Sequence, residues 1–299
     1  MATAKTLQGR LLCASVCTYN IDVNGNYTPT LPYNQAAGWD TSHPPVAVFG
    51  GENNINACLV GATADGIVIA FRGTLPPALN IPSILDWWQD IIDSPPTTAG
   101  KIPGKVHTGF WDALGSIWEG IVTQVKQFQT WFPNHPLYIT GHSKGGGISP
   151  IAAANIIFND QRIPQPTAVY TFAAPHPGNT DFADGFPAGV PVTRYENYLD
   201  IVPYLPPTEA FINLVSKIPL VGRLFAVASG WDYSPVGLLQ YIQEDLEVTD
   251  DYFGLSYIRI GELVWNMAQG EAGFVNIANA HHPGCSYGYF SALCPDVSC

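Results

Sequence analysis

The chain has 299 residues and carries 12 Lys plus Arg against 24 Asp plus Glu, a formal charge of −12. That acidic excess excludes nucleic acid and anionic membrane surfaces as expected partners, because both select basic patches. Charged residues make up only 12% of the chain and aromatics another 12%, against roughly 25% charged in an ordinary globular protein, so the surface should be rich in neutral and apolar groups that tolerate a lipid–water interface.

The first ten residues lack the apolar core of a signal peptide, and no run approaches the roughly 18 apolar residues of a membrane-spanning helix. Leu7, Leu11, Leu12 and Val16 recur at helical spacing and predict a helix over 5–20. Cys13 and Cys17 fall one turn apart on it. Of the six cysteines, five lie near the chain ends, and the even number permits up to three bridges. The Cys13/Cys17 face either anchors the C-terminal tail by a disulfide or holds buried thiols. No C-x-x-C pair is present, so no metal site is expected.

Residues 20–56 are rich in Gly, Pro and Asn and read as loops with one short strand. Cys58 to Ala62 and Gly66 to Phe71 flank a turn and read as a hairpin. Ile67–Phe71 is unbroken and apolar, as in a central strand. Prolines keep residues 75–82 out of a helix; Ser83 can cap a short one reaching Ile92, whose apolar residues exceed one stripe. A longer amphipathic helix is predicted over 112–132, then strands over 137–140, 167–172 and 192–197. This alternation predicts a mostly parallel sheet flanked by helices in a single α/β domain, 1–299.

One stretch in the middle carries chemistry. The strand Leu137–Thr140 runs into Gly141-His-Ser-Lys-Gly145, followed by Ile148, Ile151, Ala152 and Ile156 at the spacing of a buried helix. G-x-S-x-G between strand and helix is the context of a nucleophile elbow: the turn is sharp, and flanking glycines leave no Cβ to obstruct it. Ser143 is the candidate nucleophile. It needs a base and an orienting acid. Asp200 follows the strand 192–197, and the adjacent His281 and His282 follow Asp200, giving the chain order Ser, Asp, His.

These residues stand among further motifs. Phe71-Arg-Gly-Thr74, Asp86-Trp-Trp-Gln-Asp90, Val106-His-Thr-Gly-Phe110, Gly141 to Gly146, Phe172-Ala-Ala-Pro-His-Pro-Gly-Asn179 and Asp200-Ile-Val-Pro203 follow one another in one order. In that order they resemble the class 3 lipases, the group of filamentous-fungal triacylglycerol lipases and feruloyl esterases. The matches run from Phe71 to Tyr289. Departures include Asp86 where Asn is commoner and Lys144 in place of Leu.

The resemblance implies an α/β-hydrolase fold and a serine carboxylester hydrolase, foremost a triacylglycerol lipase, that needs no cofactor. It implies Ser143 as nucleophile, Asp200 as orienting acid and His281 rather than His282 as base, with an oxyanion hole made by the backbone N–H groups of Lys144 and Thr74. Asp90 would steady Thr74. His107 and His142 are read as structural. Residues 75–92 take the family's lid position, and the apolar insertion at about 207–233 forms either a second flap or an extra core helix. The Lys144 side chain is expected to snorkel into water, the alternative being selection of an acidic substrate. The expected partner is an ester lipid at an interface, met by a monomer; family and cysteine number favour secretion. Short-chain or feruloyl esterase, phospholipase A1 and a non-catalytic lipid-binding protein are the competing readings.

Overall fold

Strand β3 (Ile67–Phe71) is buried along its whole length, and its alternating side chains supply two cores. Ile67, Ile69 and Phe71 face one layer, with Ile117, Ile121, Val125, Ile151 and Ala152. Val68 and Ala70 face the other, with Leu11, Leu12, Cys13, Phe290 and Leu293. The chain therefore builds a sheet covered on both sides, as the unbroken apolar run predicts. The computed structural model describes residues 3–74, 91–215, 226–250 and 255–299.

Eight strands form the main sheet: β1 (Val46–Gly50), β2 (Asn56–Ala62), β3, β6 (Leu137–His142), β7 (Ala168–Phe172), β9 (Val192–Asn197), β11 (Leu238–Ile242) and β12 (Val248–Thr249) lie side by side in that order. The five from β3 to β11 are parallel; β1, β2 and β12 are antiparallel to their neighbours. A small second sheet joins β10 (Tyr233–Ser234), β8 (Gly178–Asn179), β5 (Val106–His107) and β4 (Pro96–Thr97). The α/β-hydrolase expectation is met.

The helix Thr108–Trp131 begins four residues earlier than its apolar spacing predicts, because His107 caps it: Nδ1 accepts from the Phe110 N–H at 3.3 Å. Its buried residues fall on one face, from Phe110 through Leu114, Ile117, Ile121 and Val125 to Phe128. The helix Lys144–Phe158 is instead buried on all sides, as its Gly, Ala and Ile content dictates. Residues 20–56 hold more order than expected, with a short helix, Tyr33–Ala37, besides β1. Two helices that the sequence reading did not draw, Leu255–Ala268 and Glu271–His281, complete the active-site end of the sheet.

Most of the lid position lies outside the described residues; its last two, Ile91 and Ile92, are buried. In the insertion, Phe211 and Ile212 of the helix Glu209–Val215 are buried in the core, and Phe211 stacks on Tyr204 at 5.1 Å. Those residues serve as core; the segment's middle, 216–225, is again outside the described residues.

Three buried histidines tie the elements together as neutral rings. His107 Nε2 donates to the Ile91 carbonyl (2.9 Å), His176 Nδ1 to the Pro206 carbonyl (2.7 Å), and His142 Nε2 to the His281 carbonyl (2.8 Å). Burial pushes His107 and His176 down to about 4 and His142 well below the usual histidine value. At pH 7.5 all three are neutral folded or unfolded. As the pH falls below about 6.5, the unfolded chain takes up three protons that the native state refuses, so stability is lost with a slope approaching about 4 kcal/mol per pH unit between roughly pH 6 and 4. Urea unfolding at pH 7.5, 6 and 5 should show the midpoint dropping steeply over the lower interval. A constant midpoint would exclude this coupling.

Candidate active site

The carboxyl ends of β6, β7 and β9 converge where ligands bind in open α/β sheets. β6 ends at His142, and the chain turns through Ser143 at φ 58° and ψ −131° into the following helix. A positive φ at a serine is held only by strong surroundings. Here the Ser143 N–H donates to Phe172 O (2.9 Å), and the Gly147 N–H donates to Ser143 O (3.1 Å). A Cβ on Gly141 would stand 2.2 Å from Gly145 O, and one on Gly145 would stand 2.2 Å from Phe71 O. Both positions must be glycine for the turn to close against the neighbouring strand. Ser143 itself is 1% exposed.

Asp200 sits in the turn after β9, its backbone N–H donating to Asn197 O at 3.1 Å. The carboxylate is fully buried and accepts from three directions: Tyr289 Oη at 2.7 Å, the Val202 N–H at 3.0 Å, and His281 Nδ1, which lies 3.0 Å from each oxygen. A carboxylate only accepts, so Nδ1 of His281 carries the proton and Nε2 is left as the basic nitrogen. His281 is the last residue of Glu271–His281. Asn197 Nδ2 holds the Ala280 carbonyl at 2.9 Å, and the Asn197 N–H donates to Tyr289 Oη at 3.0 Å. His282 turns elsewhere: its ring stacks on Tyr287 at 4.1 Å, and its Nδ1 accepts from the Gly284 N–H.

The serine and histidine sides are joined through His142. Its ring lies 4.7 Å from that of His281, and its Nε2 donates to the His281 carbonyl. With Nε2 protonated and the ring neutral, Nδ1 must accept, so the Tyr19 hydroxyl donates to it at 2.7 Å. That hydroxyl fills the place where residue 73 would carry a Cβ, 2.1 Å away; the same Cβ would come within 3.0 Å of Ser143 Cβ. Gly73 is therefore required for the strand end to pass this close to Ser143. Arg72 fixes this strand end by donating to the carbonyls of Ile21 (2.8 Å), Asn54 (3.1 Å) and Ile55 (2.9 Å). Asp90 lies outside the described residues.

The Lys144 side chain corrects the sequence expectation. It does not snorkel free: Nζ donates to Asn56 Oδ1 at 2.7 Å, and Asn56 in turn donates to Ser116 Oγ at 3.0 Å. Burial, aided by the nearby Arg72 charge, lowers Lys144 to about 8. Of the two readings open for the Cys13/Cys17 face, buried thiols are the one observed. The disulfide joins Cys285 to Cys299 within the tail, while Cys13, Cys17, Cys58 and Cys294 are buried thiols.

Tyr19, Asn197 and Tyr289 are the site residues that sequence reasoning did not assign. Tyr289 ends the run of family matches, although its hydroxyl's target was not legible in the sequence.

At pH 7 the half-buried Lys144 ammonium has a neutral partner and no carboxylate among the described residues. Lys144→Leu should therefore raise stability by about 1 kcal/mol. The lysine's folded value is depressed, so the advantage of the variant should shrink as the pH rises from 8 through 10.5, above which lysine is neutral in both states. Urea titrations of both proteins at pH 7 and pH 10 check this; an advantage that grew with pH would contradict it.

The family model described as "Lipase (class 3)" matches residues 68–210. The chain is 30% identical to a lipase of Rhizomucor miehei over 194 residues, covering 64% of this chain and 48% of that one. It is 28% identical to the secreted mono- and diacylglycerol lipase A of Penicillium camembertii over 148 residues, 49% of this chain and 45% of the relative. The chain thus spans about half the length of these relatives. Lipase II from Rhizopus niveus superposes with a TM-score of 0.60 at 20% identity, covering 80% of this chain and 83% of that one. A Rhizomucor miehei lipase in its propeptide complex gives 0.59 at 19% identity, over 97% and 84%. Residues 68–210, which contain the serine elbow and the aspartate, match the class 3 lipase model, and the fold is similar to that of the fungal lipases.

Proposed function

We propose that the chain is a serine carboxylester hydrolase of acylglycerols, working through an acyl-enzyme on Ser143. The observation that carries the reading is the pairing of a strained, buried serine elbow with a His281–Asp200 couple at the carboxyl end of one sheet. His281 Nε2 takes the proton of Ser143 Oγ as the oxygen attacks the ester carbonyl. Asp200 keeps the proton on Nδ1 and stabilises the imidazolium that forms. The developing oxyanion is received by the backbone N–H of Lys144, first residue of the helix Lys144–Phe158, and by that of Thr74, carried to the elbow by Gly73. The positive end of the helix adds to the stabilisation. His281 then protonates the departing alcohol, and water enters by the same path in reverse.

Acylglycerols are favoured over feruloyl esters by the apolar composition of 75–92 and of the insertion, and over anionic lipids by the net charge of −12. Secretion fits the secreted relatives and the tail disulfide. Trapping of the base by His142 and Tyr19 speaks for catalysis over passive lipid binding, since a binding protein has no use for an oriented imidazole.

Hydrolysis of p-nitrophenyl esters from C2 to C16, with a triglyceride emulsion alongside, tests the reading. Activity should peak at C8 or longer and fall about 10⁴-fold or more in Ser143→Ala. Activity restricted to C2–C4 would make the protein an esterase, and an inert wild type would leave a lipid-binding role. Tyr289→Phe removes one of the donors to Asp200 and strands the Asn197 N–H. It should lower kcat about tenfold and stability by about 1–3 kcal/mol, with KM held.

A further inference from the structure

We propose that the Lys144 side chain serves the reaction as a fixed charge: its ammonium, tethered to Asn56, stabilises the oxyanion that the backbone N–H of the same residue receives. This rests on the reading of Ser143 as the nucleophile. The side chain does not touch the substrate and acts through its field.

The tether is directional from end to end. Ser116 Oγ donates to the Ala113 carbonyl at 2.7 Å, so its oxygen is left to accept from Asn56 Nδ2 at 3.0 Å. That orients the Asn56 amide with Oδ1 toward Lys144 Nζ, 2.7 Å away. Gly51 leaves room for it: a Cβ there would stand 2.6 Å from Asn56 Nδ2. A lysine at the edge of a site ordinarily turns its charge outward, where water and salt screen it. Here the charge is kept half-buried beside the start of the helix Lys144–Phe158. The length of a lysine side chain keeps Nζ within roughly 10 Å of an oxygen bound at its own N–H. A unit charge at that range, with the screening usual near a protein surface, is worth about tenfold in rate.

The groups around Nζ leave this field intact. Asn56 of β2 and Ser116 of the helix Thr108–Trp131 are uncharged. His107, at the end of β5, is neutral. Arg72, just past β3, is a second buried cation, and its three acceptors are carbonyls. It stands two residues before Thr74, so each segment proposed to supply an oxyanion donor carries a positive charge. Among the described residues no carboxylate pairs with either cation. Burial and Arg72 lower Lys144 to about 8, so its charge is present at neutral pH and is lost as the pH rises through about 8. A neutral amine still donates to Asn56. Titration therefore removes the charge and leaves the tether, which separates the electrostatic role from a structural one.

The test compares wild type, Lys144→Met and Lys144→Arg on the p-nitrophenyl ester that wild type cleaves fastest, with kcat and KM measured from pH 6 to pH 10 and folding checked by circular dichroism. Lys144→Met should lower kcat about tenfold at pH 7 with KM unchanged. Wild-type kcat should fall toward the level of the Met variant as the pH rises through about 8. Lys144→Arg, whose guanidinium stays charged, should keep the neutral-pH kcat and lose that alkaline fall; if it does not fold, the wild-type and Met profiles decide alone. Wild-type kcat at pH 7 in Lys144→Met, or the same alkaline fall in it as in wild type, overturns the proposal. Equal losses in both variants, with no alkaline fall in wild type, assign the side chain to packing and overturn it as well. A wild type inert on every ester removes the hydrolase reading itself, whereas an active wild type indifferent to the Met exchange removes this inference alone.

Discussion

The rest of the active site depends on the turn at Ser143, where a non-glycine residue is kept at φ 58°. Such backbone stores about 1–3 kcal/mol and survives only where its surroundings over-determine it. They do so here from every side. β7 accepts the serine N–H, the helix behind is buried all round, and Gly145 lies against the carbonyl end of β3 with no room for a methyl group. The sheet is thus a vice for the elbow. Its two cores, one under the helices Thr108–Trp131 and Lys144–Phe158 and one under the N-terminal and tail helices, press on the same central strands.

A second constraint links Ser143 to His281. His142 precedes the serine and is neutral, with a carbonyl acceptor on one nitrogen and a tyrosine hydroxyl on the other. Only one tautomer satisfies both. The ring becomes a rigid spacer between the backbone of His281 and the segment around Tyr19, whose hydroxyl also determines that residue 73 is glycine. Three pieces far apart in sequence, residues 19, 73 and 281, are thereby set against residue 142. A protonated His142 could not accept from Tyr19, so its depressed affinity for protons is part of the fit.

How much of this was legible in the sequence follows from how local each signal is. The elbow is local: five residues, a strand before and a helix after, all read from apolar spacing and glycines. The strand Val192–Asn197 and the hairpin β2–β3 were legible for the same reason. The helix Thr108–Trp131 was placed four residues late because its start is set by a histidine cap, which apolar periodicity does not register. Lys144 was misread because the acceptor that captures it, Asn56, is 88 residues away. The same holds for Tyr289, whose hydroxyl reaches Asp200 across 89 residues, and for Tyr19. Side-chain hydrogen bonds between distant segments leave no periodic trace. The choice of His281 over His282 rested on family pattern alone, whereas the structure separates them by direction: one faces Asp200, the other Tyr287.

The C-terminal helices show how His281 is held in place by a region with so little sequence signature. The helix Leu255–Ala268 is held by Arg259, buried to 2% exposure, whose Nη2 lies 2.8 Å from Glu196 Oε2. Arg194 pairs with the other oxygen of the same carboxylate. The Arg259 guanidinium also lies over the rings of Tyr204 (4.9 Å) and Tyr241 (4.5 Å). Burial opposes its charge, but Glu196 outweighs that and keeps it protonated. Removing one member of such a cluster strands charge in the core at a cost of about 3–5 kcal/mol, so the arrangement holds as a unit. Glu196 belongs to β9, four residues before Asp200. One strand therefore fixes both Asp200 and, through Arg259, the helix that leads by a tight connection into Glu271–His281. The geometry between Asp200 and His281 is set by the sheet on both sides, and a flexible tail is not needed to bring His281 into place.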